Sequence, residues 1–256
     1  MNRIYIFDVD GTLTPSRLPM TKGFRKFFEG WILKNKFYLV TGSNIEKLQE
    51  QMCYFDIEAE RIFTCCGNEM WKPDPHIVNI SAELIYENKF KVSKKLKSLL
   101  EVILMSSPYP HRYGNHIEDR GSMVNFSIVG RDCNQLQREI FFEWDNQNKE
   151  RKKISTVVKQ KFPELDAVIG GQISIDIYPK GKDKSQILER IKSHINLDSH
   201  TKTYANTFEY IFIGDRTMKG GNDYPLAKLM EETDNCKYFQ TEGWEQTMEI
   251  LESLND

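Results

Sequence analysis

The run Arg3-Ile4-Tyr5-Ile6-Phe7 ends in Asp8-Val9-Asp10-Gly11-Thr12-Leu13-Thr14, and no other stretch constrains the possible fold as much. The run is short, apolar and rich in β-formers, which predicts an interior parallel strand. In open α/β sheets the crevice beyond the carboxyl ends of the strands is the usual ligand site, so the acidic pair stands where chemistry is expected. Alternate strand residues share a side, so Asp8 and Asp10 can converge on one cation or one phosphate while Val9 points elsewhere. Gly11 permits a sharp turn.

Two carboxylates this close repel each other unless a cation or a proton intervenes, and Mg²⁺, a hard cation that takes few protein ligands, suits them. One carboxylate could instead attack phosphorus. A turn with solvated acids accounts for the same residues without any chemistry. A calcium loop fits poorly, because an EF-hand loop counted from Asp8 ends at Pro19, where a bidentate Glu is required.

Asp-x-Asp-Gly-Thr after a buried strand resembles the first motif of the haloacid dehalogenase superfamily. The longer string DVDGTLTPSR, Asp8 to Arg17, is similar to one branch of it, the eukaryotic-type phosphomannomutases. The resemblance implies that Asp8 becomes an aspartyl phosphate and that Asp10 is the general acid and base.

Composition bounds the rest. A chain of 256 residues can bury a sizeable core and divides into two domains or one domain with a large insert. The net charge of -2 gives no general attraction to nucleic acid, so anion binding has to come from local arginines. No apolar run is long enough to span a membrane and the N-terminus lacks a signal-peptide core, so a cytoplasmic protein is expected. Five cysteines, with Cys65 and Cys66 adjacent, show no metal-ligand spacing and read as free thiols.

Along the chain, Thr21 to Leu33 reads as a helix and Phe37 to Val40 as a strand. That strand ends in Thr41-Gly42-Ser43-Asn44, hydroxyls followed by a helix start, a good place for phosphate. Ser43 or Asn44 could equally be a helix cap. The resemblance favours Thr41 as the motif-two hydroxyl, although the family usually reads Gly-Gly-Ser-Asp here, so Thr41 and Ser43 both stand as candidates. Arg61 to Thr64 reads as a third strand. The following Cys65-Cys66-Gly67-Asn68-Glu69 departs from the family's Glu-Asn-Gly, and no role is assigned to Asn68 or Glu69. Two prolines in Lys72-Pro73-Asp74-Pro75 mark the exit from the first domain.

From about Ile77 to Pro179 the pattern changes to helices near Val92 to Met105 and Glu150 to Lys161, and strands at Ser122 to Val129 and Ile173 to Tyr178. This predicts an α+β insert with an antiparallel sheet. Its notable chemistry is cationic, since the guanidinium forks of Arg120, Arg131 and Arg138 match phosphate oxygens. The stretch from Glu118 to Arg131, then Arg138, resembles the cap segment of the phosphomannomutases, and Gly170 to Asp176 resembles their GGQ-x-S-x-D run. The resemblance implies that the three arginines, Arg17, Ser174 and Asp176 hold the sugar and its distal phosphate.

Lys184 matches motif three, at the start of a helix read as Lys184 to Ser193. The strand Tyr210 to Ile213 delivers Gly214-Asp215, followed by Gly220-Gly221-Asn222-Asp223. Asp8, Asp10, Asp215, Asn222 and Asp223 are the candidate Mg²⁺ ligands. Tyr224 to Lys228 offers no carboxylate, so a second cation site is not expected there. A strand near Tyr238 and a helix from Trp244 to Leu254 close the chain.

The expected fold is α/β, a Rossmann-like doubly wound parallel sheet (1–77 and 181–256) with an inserted α+β cap (78–180). The resemblance implies a homodimer joined through the caps. It also implies a phosphohexomutase that interconverts mannose 6-phosphate and mannose 1-phosphate through an aspartyl phosphate and a hexose bisphosphate, for GDP-mannose synthesis. A Mg²⁺-dependent sugar-phosphate phosphatase is the alternative.

Overall fold

The computed structural model describes residues 2–52, 58–74, 82–201 and 203–255. In chain order the elements begin with β1 (Asn2–Phe7), α1 (Lys22–Ile32), β2 (Lys36–Val40), α2 (Ile45–Gln51), β3 (Ile62–Thr64), β4 (Glu69–Pro73) and β5 (Ala82–Glu87). Then come α3 (Lys94–Ser106), β6 (Ile117–Asp119), β7 (Val124–Phe126), α4 (Gln135–Asn148), α5 (Glu150–Lys161), β8 (Leu165–Gly170) and β9 (Ser174–Pro179). The chain closes with α6 (Ile187–Asp198), β10 (Phe208–Gly214), α7 (Tyr224–Glu231), β11 (Cys236–Gln240) and α8 (Trp244–Asn255). Two compact units result: Met1–Glu87 with Asp183–Lys219 and Asp223–Asp256, and Asn88–Lys182 with Gly220–Asn222.

The first unit holds a seven-stranded sheet ordered β11-β10-β1-β2-β3-β4-β5. Its five strands from β11 to β3 pair in parallel, whereas β4 and β5 are antiparallel. β1 is an interior strand because alternate residues meet different cores. Tyr5 and Phe7 pack with Phe24, Phe28 and Trp31 of α1 on one face. Ile4 and Ile6 pack with Ile187, Leu188 and Ile191 of α6 on the other. Burial on both faces accounts for the unbroken apolar run. Edge-on aromatic pairs, Tyr5–Trp31 at 4.7 Å and Phe7–Phe28 at 5.6 Å between centroids, lock α1 to β1; each contributes about 0.5–1.5 kcal/mol beyond its buried area. From β1 the chain proceeds outward to β2 and β3, and β10 later returns on β1's other side. The β1/β10 boundary is therefore the topological switch point.

The second unit holds the antiparallel sheet β6-β7-β9-β8. Val124, Phe126, Ile175 and Ile177 face a core shared with Leu100, Phe141, Ile154 and Val158 of its helices. The intervening Asn125, Ser174 and Asp176 are thereby turned to the sheet's other face.

The structure corrects several sequence expectations. The first unit extends beyond 77, since Ala82–Glu87 pairs with β4, and Pro73 ends that strand instead of marking a domain exit. Proline is tolerated there because β3 pairs β4 only as far as Trp71. Pro75 and the 77/78 boundary lie outside the described residues. Lys184 occupies a short 3₁₀ turn, and the helix starts at Ile187. Asp183 tightens this turn by accepting the Ser185 N–H at 2.8 Å. Helix α4 was not anticipated, although Asn134 and Gln137 form a capping box at its start.

Candidate active site

β1 and β10 run in parallel register, with Phe7 opposite Ile213. The ladder continues one step, as the Asp8 N–H donates to the Ile213 carbonyl at 3.0 Å. Asp8 and Asp215 therefore leave the sheet at the same edge. Gly11, at φ 79°, turns the chain just beyond Asp10, and a β-carbon there would lie 2.7 Å from Asp215 Oδ2. No other residue type meets both demands.

Behind this edge lies Lys184, with no solvent exposure. Its Nζ donates to Asp8 Oδ1 at 2.6 Å and to Asp223 Oδ1 at 2.6 Å. Asp8, Asp215 and Asp223 each present a carboxylate oxygen within 4.8 Å of the others. Burial opposes the lysine's charge, but Asp223 and Asp8 outweigh it and hold the ammonium protonated. Burial also drives the Asp8 carboxyl well above its ordinary range; Lys184 opposes this, while Asp223 and Asp215 add to it. Asp215 is pushed up to about 7, first by burial and then by Asp223. The three acids face the Lys184 ammonium and, at 3.2 Å from Asp215, the Arg216 guanidinium, so acids still outnumber cations, and the donor set is all hard oxygen. The residues thus fit a divalent cation such as Mg²⁺.

Asp10 stands apart from this group. Its Oδ1 accepts from the Arg17 N–H at 2.8 Å and from Gln51 Nε2 at 3.0 Å, and its Oδ2 from Ser43 Oγ at 3.4 Å. Its carboxylate is thus held by protein donors, outside the group of three carboxylates that lie within 4.8 Å of one another. Asn222 is buried but belongs by its contacts to the second unit. The motif-two residues separate clearly. Asn44 is the N-cap of α2 and accepts the Lys47 N–H. Thr41 Oγ1 accepts the Ser43 N–H at 3.0 Å, and the Ser43 hydroxyl reaches Asp10.

Arg17 has a positive φ of 64°, and its Nη1 is buried without a hydrogen-bond partner. In the second unit, Arg120 pairs with Glu118 at 2.5 Å, and Arg131 approaches the same carboxylate at 3.5 Å. Arg131 Nη1 also donates to Ser174 Oγ at 2.9 Å, and Arg138 Nε to Gln172 Oε1 at 3.1 Å. Asn125 Nδ2 holds Asp176 Oδ1 at 2.7 Å. The strand alternation that buries Val124 and Phe126 thus gathers a polar, arginine-bearing cluster. A separate cavity of about 750 Å³ lies at the opposite edge of the first sheet, lined by Asn2, Lys36, Tyr38 and Glu60; no motif residue lines it.

Sequence reasoning missed Gln51, Glu118 and Asn125 as parts of these clusters. Gln51 had left a signal, a polar residue within the apolar helix stripe Ile45, Leu48 and Met52.

A family model described as eukaryotic phosphomannomutase matches residues 24–253. An Encephalitozoon cuniculi phosphomannomutase is 34% identical over 87% of this chain and 83% of its own. One from Drosophila melanogaster is 32% identical over 97% and 95%, respectively. Among solved structures, a Plasmodium falciparum IMP-nucleotidase matches with a TM-score of 0.62 at 15% identity, over 99% of this chain and 66% of that one. A Thermoplasma acidophilum protein matches with a TM-score of 0.57 at 15% identity, over 100% and 99%. These two likenesses concern the fold alone.

Proposed function

Because the chain belongs to the eukaryotic phosphomannomutase family, we propose that it is a phosphohexomutase interconverting mannose 6-phosphate and mannose 1-phosphate through a hexose bisphosphate. The observation that carries the chemistry is the buried Lys184 clamped between Asp8 and Asp223 at the switch point. Asp8 is the nucleophile. Lys184 occupies its Oδ1, leaving Oδ2, touched at 3.5 Å by Thr12 Oγ1, as the freer oxygen to attack phosphorus. Lys184 and the Ser43 or Thr41 hydroxyl stabilise the charge that spreads over the phosphoryl oxygens. Asp10 protonates the departing sugar oxygen and later deprotonates the accepting hydroxyl, a contribution of roughly 10²–10⁴-fold. Asp8, Asp215 and Asp223, with Asn222 and Asp10 as further candidates, would hold Mg²⁺, which would supply additional neutralisation of phosphoryl charge.

A mutase has to hold the phosphate that is not reacting, since the bisphosphate must turn over before water intrudes. Arg120, Arg131 and Arg138, with Ser174 and Asp176, provide that grip in the second unit, and Arg17 offers an unpaired guanidinium nitrogen in the first. A phosphatase acting on a monophosphate has no use for such a cluster. Homodimerisation through the second unit belongs to the same proposal; Val102 and Met105 of α3 and Leu136 and Ile140 of α4 expose apolar side chains there. Among the described residues no helix is long and apolar enough to cross a membrane. The thiols of Cys65, Cys66, Cys133 and Cys236 suit a reducing, cytoplasmic setting.

A phosphorus NMR time course with mannose 1-phosphate, Mg²⁺ and catalytic glucose 1,6-bisphosphate tests the proposal. Growth of the 6-phosphate signal without inorganic phosphate is the expected result. Release of inorganic phosphate alone overturns the mutase in favour of a phosphatase.

A further inference from the structure

We propose that Gln51 is a positioning residue for Asp10, fixing which of its carboxylate oxygens exchanges the proton with the sugar; this rests on the reading of Asp10 as general acid and base. Gln51 closes α2, is 3% exposed, and donates through Nε2 both to Asp10 Oδ1 at 3.0 Å and to Thr14 Oγ1 at 3.0 Å. The Thr14 hydroxyl passes its own proton to the Val9 carbonyl at 3.3 Å. Both amide hydrogens are therefore spent on the acidic turn, while Oε1 is buried without a partner. Reversing the amide would set its carbonyl against the Asp10 carboxylate, two acceptors facing each other.

A buried amide with an orphan acceptor costs stability. Leu or Met would fill this position in the stripe of Ile45, Leu48 and Met52 without that cost. What the amide supplies in return is a donor aimed at Asp10. With Oδ1 held by Gln51 and the Arg17 N–H, Oδ2 meets, among the described residues, only Ser43 Oγ, at a longer 3.4 Å. Oδ2 is the oxygen that carries the proton. As the Asp8 oxygen bonds to phosphorus and the sugar O–P bond breaks, Oδ2 gives its proton to the departing sugar oxygen. It takes a proton from the accepting hydroxyl when the aspartyl phosphate is discharged. The amide holds the carboxylate plane so that this transfer is in line.

The test compares two substrates in the full chain, Gln51→Met and Gln51→Glu. Mannose 1-phosphate needs a protonated leaving oxygen. p-Nitrophenyl phosphate does not, and its pre-steady-state burst of nitrophenolate reports attack by Asp8 alone. Both variants are expected to lose about 10- to 100-fold in kcat on mannose 1-phosphate with KM changed less than about twofold, and to keep the burst rate. Gln51→Met should melt no lower than the unaltered chain. An unchanged kcat, or kcat and burst falling in proportion, overturns the assignment, the latter because it marks a merely structural role. Absence from the unaltered chain of both a burst and any acid-trapped phosphoenzyme refutes the aspartyl-phosphate reading itself, and this assignment with it.

Discussion

Replacing Lys184 by Met tests the centre of the site most directly. Methionine is of similar length and carries no charge, so the buried volume is nearly kept while the ammonium is lost. Lys184 has two carboxylate partners at 2.6 Å and no exposure. Removing one member of a buried, hydrogen-bonded ion pair costs about 3–5 kcal/mol. Repulsion among the stranded acids, whose oxygens lie within 4.8 Å of one another, is of the same order, roughly 3 kcal/mol per pair at an effective dielectric of about 20. At about 2–4 °C per kcal/mol for a unit of this size, the melting temperature should fall by on the order of 10 °C. Scanning calorimetry in EDTA and in saturating Mg²⁺ reads this directly, and the cation should recover more stability in the variant than in the unaltered chain. Loss of a charge that stabilises the transition state should also lower kcat by about 10²–10³-fold. A melting temperature within about 2 °C of the original in EDTA, with kcat retained, would refute the placement of Lys184 as the buried counter-charge.

Other expectations follow from the same geometry. Asp8→Asn should abolish turnover and the phosphoenzyme while leaving the circular dichroism spectrum unchanged; residual phosphoenzyme in acid-quenched samples would exclude Asp8 as nucleophile. Asp215 sits at about 7 in the folded chain, above its unfolded value. The folded state therefore binds more protons than the unfolded one between about pH 4 and 7, and the contribution of Asp215 to stability falls as pH rises through that window. Without divalent cation, Asp215→Asn should flatten the decline in melting temperature from pH 5 to 8, as should Mg²⁺ added to the unaltered chain; an unaffected slope contradicts the shift. Arg131→Ala removes the donor to Ser174 and leaves Glu118 with Arg120. It should raise the KM for the sugar bisphosphate by roughly 10-fold or more, consistent with a lost charged hydrogen bond, and an unchanged KM would take Arg131 out of the site.

Much of this architecture is legible in the amino-acid sequence, wherever a local pattern encodes it. The apolar run before Asp8 specifies an interior strand because burial on both faces leaves no room for polar alternation. Thr21 and Asn44 start helices because their side chains satisfy otherwise unpaired N–H groups, of Phe24 and Lys47 respectively. The order of acidic, hydroxyl, lysine and second acidic motifs follows from chain sequence alone, as does the arginine-rich character of the insert.

Tertiary structure decided which of these groups meet. Lys184 lies 176 residues from Asp8, and nothing local distinguishes it from a solvated helix-surface lysine; only the β1/β10 register and the packing of α6 on the sheet bury it between two acids. The commitment of Asp10 to Gln51, the Arg17 N–H and Ser43, away from the other carboxylates, depends on how α2 ends against the acidic turn. Asn125 became a partner of Asp176, 51 residues away, only when antiparallel pairing of β7 with β9 set them opposite each other. A sequence records which side chains a segment offers and how they alternate. The long-range contacts that tune their charges arise from packing, whose geometry is shared among strands and helices distant in the chain.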